Sequence, residues 1–334
     1  MTSGKRKTKT ENGTRKMQTR ILDLDGSVVR QTLLRRSGTI ILRLQEWGRR
    51  LRLACRHGAL ARFEKQLAEL TDSRFDESPF LTFLGSGDFH HLSLALLRRL
   101  ASPFNLLVID KHPDWMRGIP FLHCGTWLYH AAELPNVQRI FHLGGAVDFD
   151  NAYRWLAPWP MLRSGKIVVA PARHRFQGRW WDRIAHQPLR RCPDQPASRD
   201  MLEKWLAPYR ADLAAWPLYI SLDKDVLTAA EAVVNWDSGC LTAAEVWAIL
   251  EGFTNAAGGE LAGMDVVGDW SPVYLHGWAR QLLHWTEHPG LAIDPNEAMR
   301  RNQALNLRLI KCVSEVLTWC VGRVNVPVGY SPGR

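Results

Sequence analysis

Short apolar runs alternate with helical patterns along most of the chain, and this alternation is what most constrains the fold. The predicted strands are Thr39–Leu44, Pro79–Leu84, Leu106–Ile109, Val137–Leu143, Lys166–Ala170, Leu218–Leu222 and Leu261–Val267. The predicted helices are Glu46–Leu70, Leu92–Leu100, Ser198–Leu206, Thr242–Phe253 and Asn296–Val321. Because strands that alternate with helices form βαβ units, we predict an α/β fold with three αβα layers and a mainly parallel central sheet.

The positive charge of the chain is concentrated at its start. The formal net charge is +10, and seven of the first twenty residues are Lys or Arg. Small polar residues between these charges are typical of disorder, so we predict a disordered basic tail over residues 1–37 and a single α/β domain over residues 38–330. The chain shows no aromatic platform and no known nucleic-acid module, so we do not expect a nucleic-acid partner.

Membrane insertion and secretion are not expected from the sequence. No apolar stretch approaches the ~20 residues of a membrane span, and no apolar segment follows the basic start as a secretory signal requires. The six cysteines include no Cys-x-x-Cys pair, which argues against a zinc ribbon and favours reduced thiols. We therefore expect a cytoplasmic protein.

Two aspartate clusters directly follow predicted strands. Asp110, His112 and Asp114 come after Leu106–Ile109, and Asp223 and Asp225 end the strand at Leu218–Leu222. In an extended segment residues i, i+2 and i+4 point to one side, so the first three side chains are expected to converge, without Lys111 or Pro113. Parallel strands place their chemistry at their carboxyl ends, which favours a single site.

A third group of ligand-type residues lies in the glycine-rich turn from Gly85 to His91. With it, the three strand ends offer four carboxylates and two imidazoles. This set suits a pair of hard-to-borderline divalent ions such as Mn²⁺, whereas a single zinc would not need four carboxylates. The sequence therefore predicts a two-metal hydrolytic centre.

Five motifs occur in the order that is found in the ureohydrolase family of arginase, agmatinase and formiminoglutamase. They are Gly85–His91, Asp110–Asp114, His123–Thr126, Ser221–Asp225 and Ser238–Thr242. The resemblance covers about residues 80 to 275, and it identifies the chain as a divergent member of that family. It implies an arginase/deacetylase-like fold and hydrolysis of a C–N bond in a small guanidino or amidino compound. The family commonly assembles as homo-oligomers.

The resemblance also implies roles for individual residues. Two Mn²⁺ ions per chain would be held by His90, Asp110, His112, Asp114, Asp223 and Asp225. Catalytic roles fall to Asp114 and to His123, which would shuttle protons to the leaving amine. The inserted Phe89 leaves either His90 or His91 as the first ligand, and His90 requires the smaller insertion. The resemblance assigns Asp269 to the substrate, because Asp269-Trp270-Ser271-Pro272 echoes the family's acid-x-Asn-Pro segment, and we assign His91 to the substrate as well.

Two other functions remain open from the sequence. The adjacent His90 and His91 resemble the paired histidines of a zinc-dependent deacetylase of arginase-like fold, in which one metal binds two Asp and one His. Alternatively, a non-enzymatic member of the fold would bind a partner through its basic tail or through the basic helix Glu46–Leu70. Intact ligands favour an enzyme over the second alternative.

Overall fold

The computed structural model describes residues 17–35, 38–71, 79–117, 120–146, 149, 152–173, 178–184, 198–275, 281–282, 284–285, 288 and 293–324. The strands are β1 (Gln18–Asp23), β2 (Ile40–Arg43), β3 (Ala54–Cys55), β4 (Phe80–Gly85), β5 (Phe104–Ile109), β6 (Leu122–His123), β7 (Val137–Leu143), β8 (Ile167–Ala170), β9 (Leu218–Asp223) and β10 (Leu261–Val267). The α-helices are α1 (Thr32–Arg35), α2 (Gln45–Leu51), α3 (His57–Leu70), α4 (Ser93–Leu97), α5 (Trp127–Ala132), α6 (Trp159–Arg163), α7 (Arg199–Leu206), α8 (Arg210–Ala215), α9 (Ala243–Ala256) and α10 (Pro295–Val324).

Eight strands form one sheet in the order β2-β1-β4-β10-β9-β5-β7-β8, and every pairing is parallel. The predicted α/β class is confirmed. β4 and β5 follow each other in the chain but are separated in the sheet by β10 and β9. The carboxyl ends of β4, β5, β9 and β10 therefore meet at the centre of one sheet edge, where open parallel sheets bind ligands.

Helices cover both faces of the sheet, because successive side chains of each strand point to opposite faces. In β9, Leu218, Ile220 and Leu222 join one apolar cluster and Tyr219 joins the other. Residues of α1 and of α7 to α10 belong to the first cluster, and residues of α2 to α5 and Leu162 of α6 to the second. The molecule has the three predicted layers.

Two predicted helix starts are confirmed in detail. The Ser198 side chain accepts a hydrogen bond from the Met201 backbone N–H at the start of α7. Thr242 and Glu245 form a capping box at the start of α9, with each side chain bonded to the backbone N–H of the other residue. Such caps satisfy backbone donors that a helix leaves unpaired at its first turn.

The prediction of a disordered tail over residues 1–37 is wrong for residues 17–35. Gln18–Asp23 is an internal strand of the sheet, between β2 and β4. Arg20, which we counted among the tail charges, is buried, and its Nη2 donates to Thr82 Oγ1 at 2.8 Å. A basic residue with a buried partner looks the same in sequence as a solvated one, so composition misassigned this strand. Residues 1–16 lie outside the described residues.

The predicted helix Glu46–Leu70 is two helices, α2 and α3. Between them Leu53 adopts a left-handed backbone conformation (φ 68°), and β3 pairs antiparallel with β6. The buried Arg52 side chain, which ion-pairs with Asp88, lies at this break. The stretch from residue 172 to residue 197, which shows no clear period in sequence, lies mostly outside the described residues. Within the described part of the chain, no helix is long and apolar enough to cross a bilayer.

A buried polar network joins the sheet to the first and last helical segments. Lys224, at the end of β9, places Nζ 2.6 Å from Asp269 Oδ2 and 3.1 Å from Asn306 Oδ1 of α10. Gln31, just before α1, donates from Nε2 to Asp269 Oδ1 at 2.7 Å. Burial lowers the pKa of Lys224, and the Asp269 carboxylate opposes that change. Asp269 thus compensates a buried ammonium group.

We expect Asp269→Ala to lower the free energy of unfolding by about 3–5 kcal/mol, because it leaves Lys224 buried without its carboxylate. Urea unfolding followed by circular dichroism measures the change. The control, Asp200→Ala, removes an exposed carboxylate from the first turn of α7 and should cost less than about 1 kcal/mol. An equal loss of unfolding free energy in the two variants would contradict a stabilising role of the buried network.

Candidate metal centre

Two overlapping groups of ligand atoms lie at the carboxyl ends of β4, β5 and β9. One group is His90, Asp110 and Asp223, and the other is Asp110, His112 and Asp225. Within each group the ligand atoms lie within 4.8 Å of one another. Asp110 belongs to both groups, so its two carboxylate oxygens can serve two neighbouring cation positions.

His90 reaches the centre from a 3₁₀ turn, Gly87–Leu92, that follows β4. Its Nδ1 lies 3.2 Å from Asp110 Oδ2, 3.0 Å from Asp114 Oδ2 and 3.5 Å from Asp223 Oδ2. The neighbouring His91 points away, because adjacent residues of such a turn face different directions. Geometry therefore selects His90 of the two histidines that the sequence left open.

The outer nitrogen of His90 is held by a relay that determines its tautomer. Ser221 Oγ donates to Asp265 Oδ1 at 2.8 Å and lies 3.0 Å from His90 Nε2. Because the hydroxyl proton is committed to Asp265, the Ser221 oxygen accepts from Nε2–H. Nδ1 is then the nitrogen that a metal on the side of the carboxylates would take.

Asp110, His112 and Asp114 converge, but not through the extended geometry that the sequence suggested. The chain bends after β5, where the His112 backbone N–H donates to Asp110 Oδ1 at 2.7 Å. Asp114 has a φ of 49°, a left-handed conformation that costs a non-glycine residue about 1–3 kcal/mol. Its Oδ2 accepts from Trp127 Nε1 at 2.8 Å. Lys111 belongs to neither ligand group, although it is buried.

The β9 end contributes Asp223 and Asp225 side by side. Asp225 Oδ2 lies 2.8 Å from His112 Nδ1, and Asp223 Oδ1 accepts from the Asp225 backbone N–H at 2.9 Å. Asp223 is confined by two glycines, since a Cβ at Gly268 would lie 2.7 Å from its Oδ1 and a Cβ at Gly87 3.1 Å from its Oδ2. The close approach of these backbones leaves no room for a side chain.

The four buried carboxylates perturb one another. Burial and the neighbouring Asp110 raise the pKa of Asp114 to about 7, and burial with the charges of Asp225 and Asp110 raises the pKa of Asp223 well above its usual range. Asp110 is the exception: burial opposes its ionisation, yet the neighbouring imidazoles of His90 and His112 lower its pKa. These carboxyl groups retain protons because no positive charge balances them. Such a cluster can release its protons and bind cations instead.

The donor set fits a divalent metal. His90 Nδ1 and Asp110 Oδ2 are buried and have no hydrogen-bond partner, and they face each other across 3.2 Å. Buried polar atoms of this kind are normally satisfied, and a cation between them would satisfy both. Carboxylate and imidazole ligands together suit hard-to-borderline divalent ions.

A cavity of about 190 Å³ opens onto the centre. All six predicted ligands and His123 line it, together with Met116, Trp236 and Asp237. His123 Nδ1 accepts from the Gly125 backbone N–H at 3.0 Å. Burial lowers the pKa of His123 to about 4, so the imidazole is neutral near neutral pH.

Two predicted substrate residues lie elsewhere. His91 is fully buried and does not line the cavity, and burial lowers its pKa to about 3. Asp269 is also buried, and its carboxylate is bound to Lys224, Gln31 and Asn306. Gly268, one residue earlier, occupies the position beside Asp223. The assignment of His91 and Asp269 to the substrate is wrong in this geometry.

Sequence reasoning missed the wall formed by Trp236 and Asp237. Trp236 donates from Nε1 to Asp88 Oδ1 at 3.1 Å, and its ring centroid lies 5.4 Å from that of His112. The one sequence feature that could have revealed Trp236 and Asp237 is their position directly before the Ser238–Thr242 motif. Asp265 was also missed, although an acid inside the apolar strand β10 is an unusual feature that could have revealed it.

The family model that describes the arginase family matches residues 45–279, which is more than half of the chain. An uncharacterized protein of Thermotoga maritima is 24% identical over 201 residues, which are 60% of this chain and 62% of that protein. The chain thus spans less than two thirds of the length of this relative.

Solved structures show the same fold at low identity. Proclavaminate amidino hydrolase from Streptomyces clavuligerus superposes with a TM-score of 0.51 at 17% identity, covering 91% of this chain and 93% of that one. Arginase from Bacillus subtilis superposes with a TM-score of 0.51 at 12% identity, covering 90% of this chain and 98% of that one. The matched family model, on a fold that these structures share, shows that this chain belongs to the arginase family of ureohydrolases.

Proposed function

We propose that this protein is a binuclear manganese hydrolase that cleaves a C–N bond in a small guanidino or amidino compound and releases urea or a related amide. The observation that carries the proposal is the sharing of Asp110 between the two ligand groups. A carboxylate with its oxygens aimed at two sites suits a pair of cations a few ångströms apart. His90, Asp114 and Asp223 would complete one position.

The remaining ligands, His112 and Asp225, would complete the second position, with Asp223 at the border of the two. When bound, such a metal pair lowers the pKa of a shared water so that the water can attack an electrophilic carbon at neutral pH. The strained backbone at Asp114 is consistent with a site in which ligand geometry takes precedence over local stability.

His123 is suited to proton transfer because its ring is neutral and lines the cavity. Near neutral pH the ring could take up the proton that the attacking water releases and then, as imidazolium, donate that proton to the leaving amine. The cavity also concentrates negative charge, which favours entry of a cationic guanidino or amidino group. Its volume of about 190 Å³ favours a small substrate.

The alternative of a zinc deacetylase has no support from the site geometry. Its paired-histidine chemistry needs both His90 and His91 beside the substrate, but His91 does not line the cavity. Asp114 and Asp225, which a single-metal site would not use, both line it. The two-cation proposal accounts for all six residues.

Metal titration of chelator-treated protein should give two Mn²⁺ ions per chain. Asp110→Asn should weaken the binding of both ions, because Asp110 belongs to both groups, whereas Asp225→Asn should weaken the binding of one ion. We expect each affected dissociation constant to rise by about 10-fold or more. Equilibrium dialysis with elemental analysis measures both values. Asp212→Asn alters a half-exposed acid of α8 that does not line the cavity, and it is the control. Binding of one Zn²⁺ with no site for a second ion would favour the deacetylase instead.

The Mn²⁺-loaded protein should release urea from at least one member of a panel of guanidino compounds. His123→Asn should lower kcat by about 10²–10⁴-fold, the usual contribution of a proton-transfer group, with unchanged Mn²⁺ content. His130→Asn alters a half-buried histidine of α5 that does not line the cavity and should leave kcat unchanged. No turnover across the panel, with both ions bound, would contradict the proposed function.

A further inference from the structure

The outer nitrogen of His112 faces a carboxylate that is not among the predicted ligands. His112 Nδ1 points inward, 2.8 Å from Asp225 Oδ2 and 4.0 Å from Asp110 Oδ1. Its Nε2 points to the cavity mouth, 3.4 Å from Asp237 Oδ1. An imidazole that binds a metal through one nitrogen donates its N–H from the other, and the acceptor fixes both tautomer and ring orientation.

The loop that carries Asp237 is held on both sides of that residue. Before it, Asn235 Nδ2 donates to the Ser271 carbonyl at 2.8 Å, and Trp236 donates to Asp88. After it, the Gly239 backbone N–H donates to the Asp225 carbonyl, and a Cβ at Gly239 would lie 2.2 Å from the Val226 carbonyl oxygen. The loop therefore packs directly on the metal-binding segment, and this fixes the Asp237 backbone above His112.

The second oxygen of Asp237 is held by Lys111. The Lys111 ammonium contacts Asp237 Oδ2 and lies 3.3 Å from the Asp237 carbonyl oxygen. The Asp237 side chain is 59% exposed, whereas that of Lys111 is 7% exposed. A buried lysine next to the metal strand thus orients an otherwise mobile surface carboxylate, and leaves Oδ1 turned toward His112.

The two metal-binding histidines are supported by different chemistry. His90 relies on a neutral hydroxyl, Ser221, that is buried with its partner Asp265. His112 relies on an ionised carboxylate at the mouth of the cavity. An ionised acceptor raises the basicity of the ligand more than a hydroxyl does.

We propose that Asp237 is a positioning residue that fixes the tautomer and orientation of His112, and thereby sets the affinity of the cation position that His112 serves. The inference rests on the proposed function in that it assumes a metal at His112. It goes beyond that function by predicting that the two cation positions respond differently to one substitution outside the ligand set.

Chelator-treated wild-type, Asp237→Ala and Asp237→Glu proteins should be titrated with Mn²⁺ and followed by calorimetry and electron paramagnetic resonance. Asp237→Ala should lower the Mn²⁺ affinity of one of the two cation positions by about 10–100-fold. At limiting Mn²⁺ the paramagnetic resonance spectrum should then be that of an isolated ion instead of a coupled pair. Asp237→Glu retains a carboxylate and should recover much of the lost affinity. Asp212→Ala, which removes an exposed acid that also pairs with one basic side chain, should match wild type.

Unchanged affinity for both ions in Asp237→Ala would overturn the inference, as would equal weakening of both. A raised KM with unchanged metal affinity would also overturn it, because Asp237 would then contact substrate rather than position His112. If wild type binds a single ion, the two-metal function fails separately, and the affinity of that ion in Asp237→Ala still decides the inference.

Discussion

Repulsion among four buried carboxylates is the interaction around which the centre of this molecule is arranged. Two unit charges 4 Å apart interact by about 4 kcal/mol at an effective dielectric constant of 20, and ligand atoms here lie within 4.8 Å of one another. Burial and this repulsion together raise the pKa values of Asp114 and Asp223, so these acids tend to hold protons. Cations bound among them would remove the repulsion and supply the chemistry proposed for the site.

The surrounding residues make that arrangement tolerable for the fold. Parallel strands bring the acids to one edge without exposing sheet backbone, and Gly87 and Gly268 leave space for Asp223. Ser221 and Asp237 hold the outer nitrogens of the two histidines. Lys224, which lies between Asp223 and Asp225 in sequence, points away from the carboxylate cluster, and its charge is compensated by Asp269.

The predicted ligands come together in the structure because each lies at or shortly after the end of a strand, and strand ends can be predicted from apolar runs. The sequence predicted the sheet class for the same reason. Prediction from sequence failed where the role of a side chain depends on a partner that is distant in sequence. Asp269 resembles a substrate-binding acid in sequence, but Lys224 and Asn306 determine its role. In sequence Arg20 looks like one of the charges of a disordered tail, but in the fold its guanidinium is hydrogen-bonded to Thr82. Asp237 depends on a loop that has no periodic pattern.

The strand order has a consequence for how the site comes into existence during synthesis. His90 and Asp110 follow β4 and β5, which are consecutive in the chain, yet β10 and β9 lie between these two strands in the sheet. Three inter-strand spacings amount to about 14 Å. The centre therefore acquires its geometry only after residue 267 has left the ribosome and the last two strands have been inserted. Until then His90 and Asp110 lack the two strands that fix their relative position, and Asp223 is not yet held beside them.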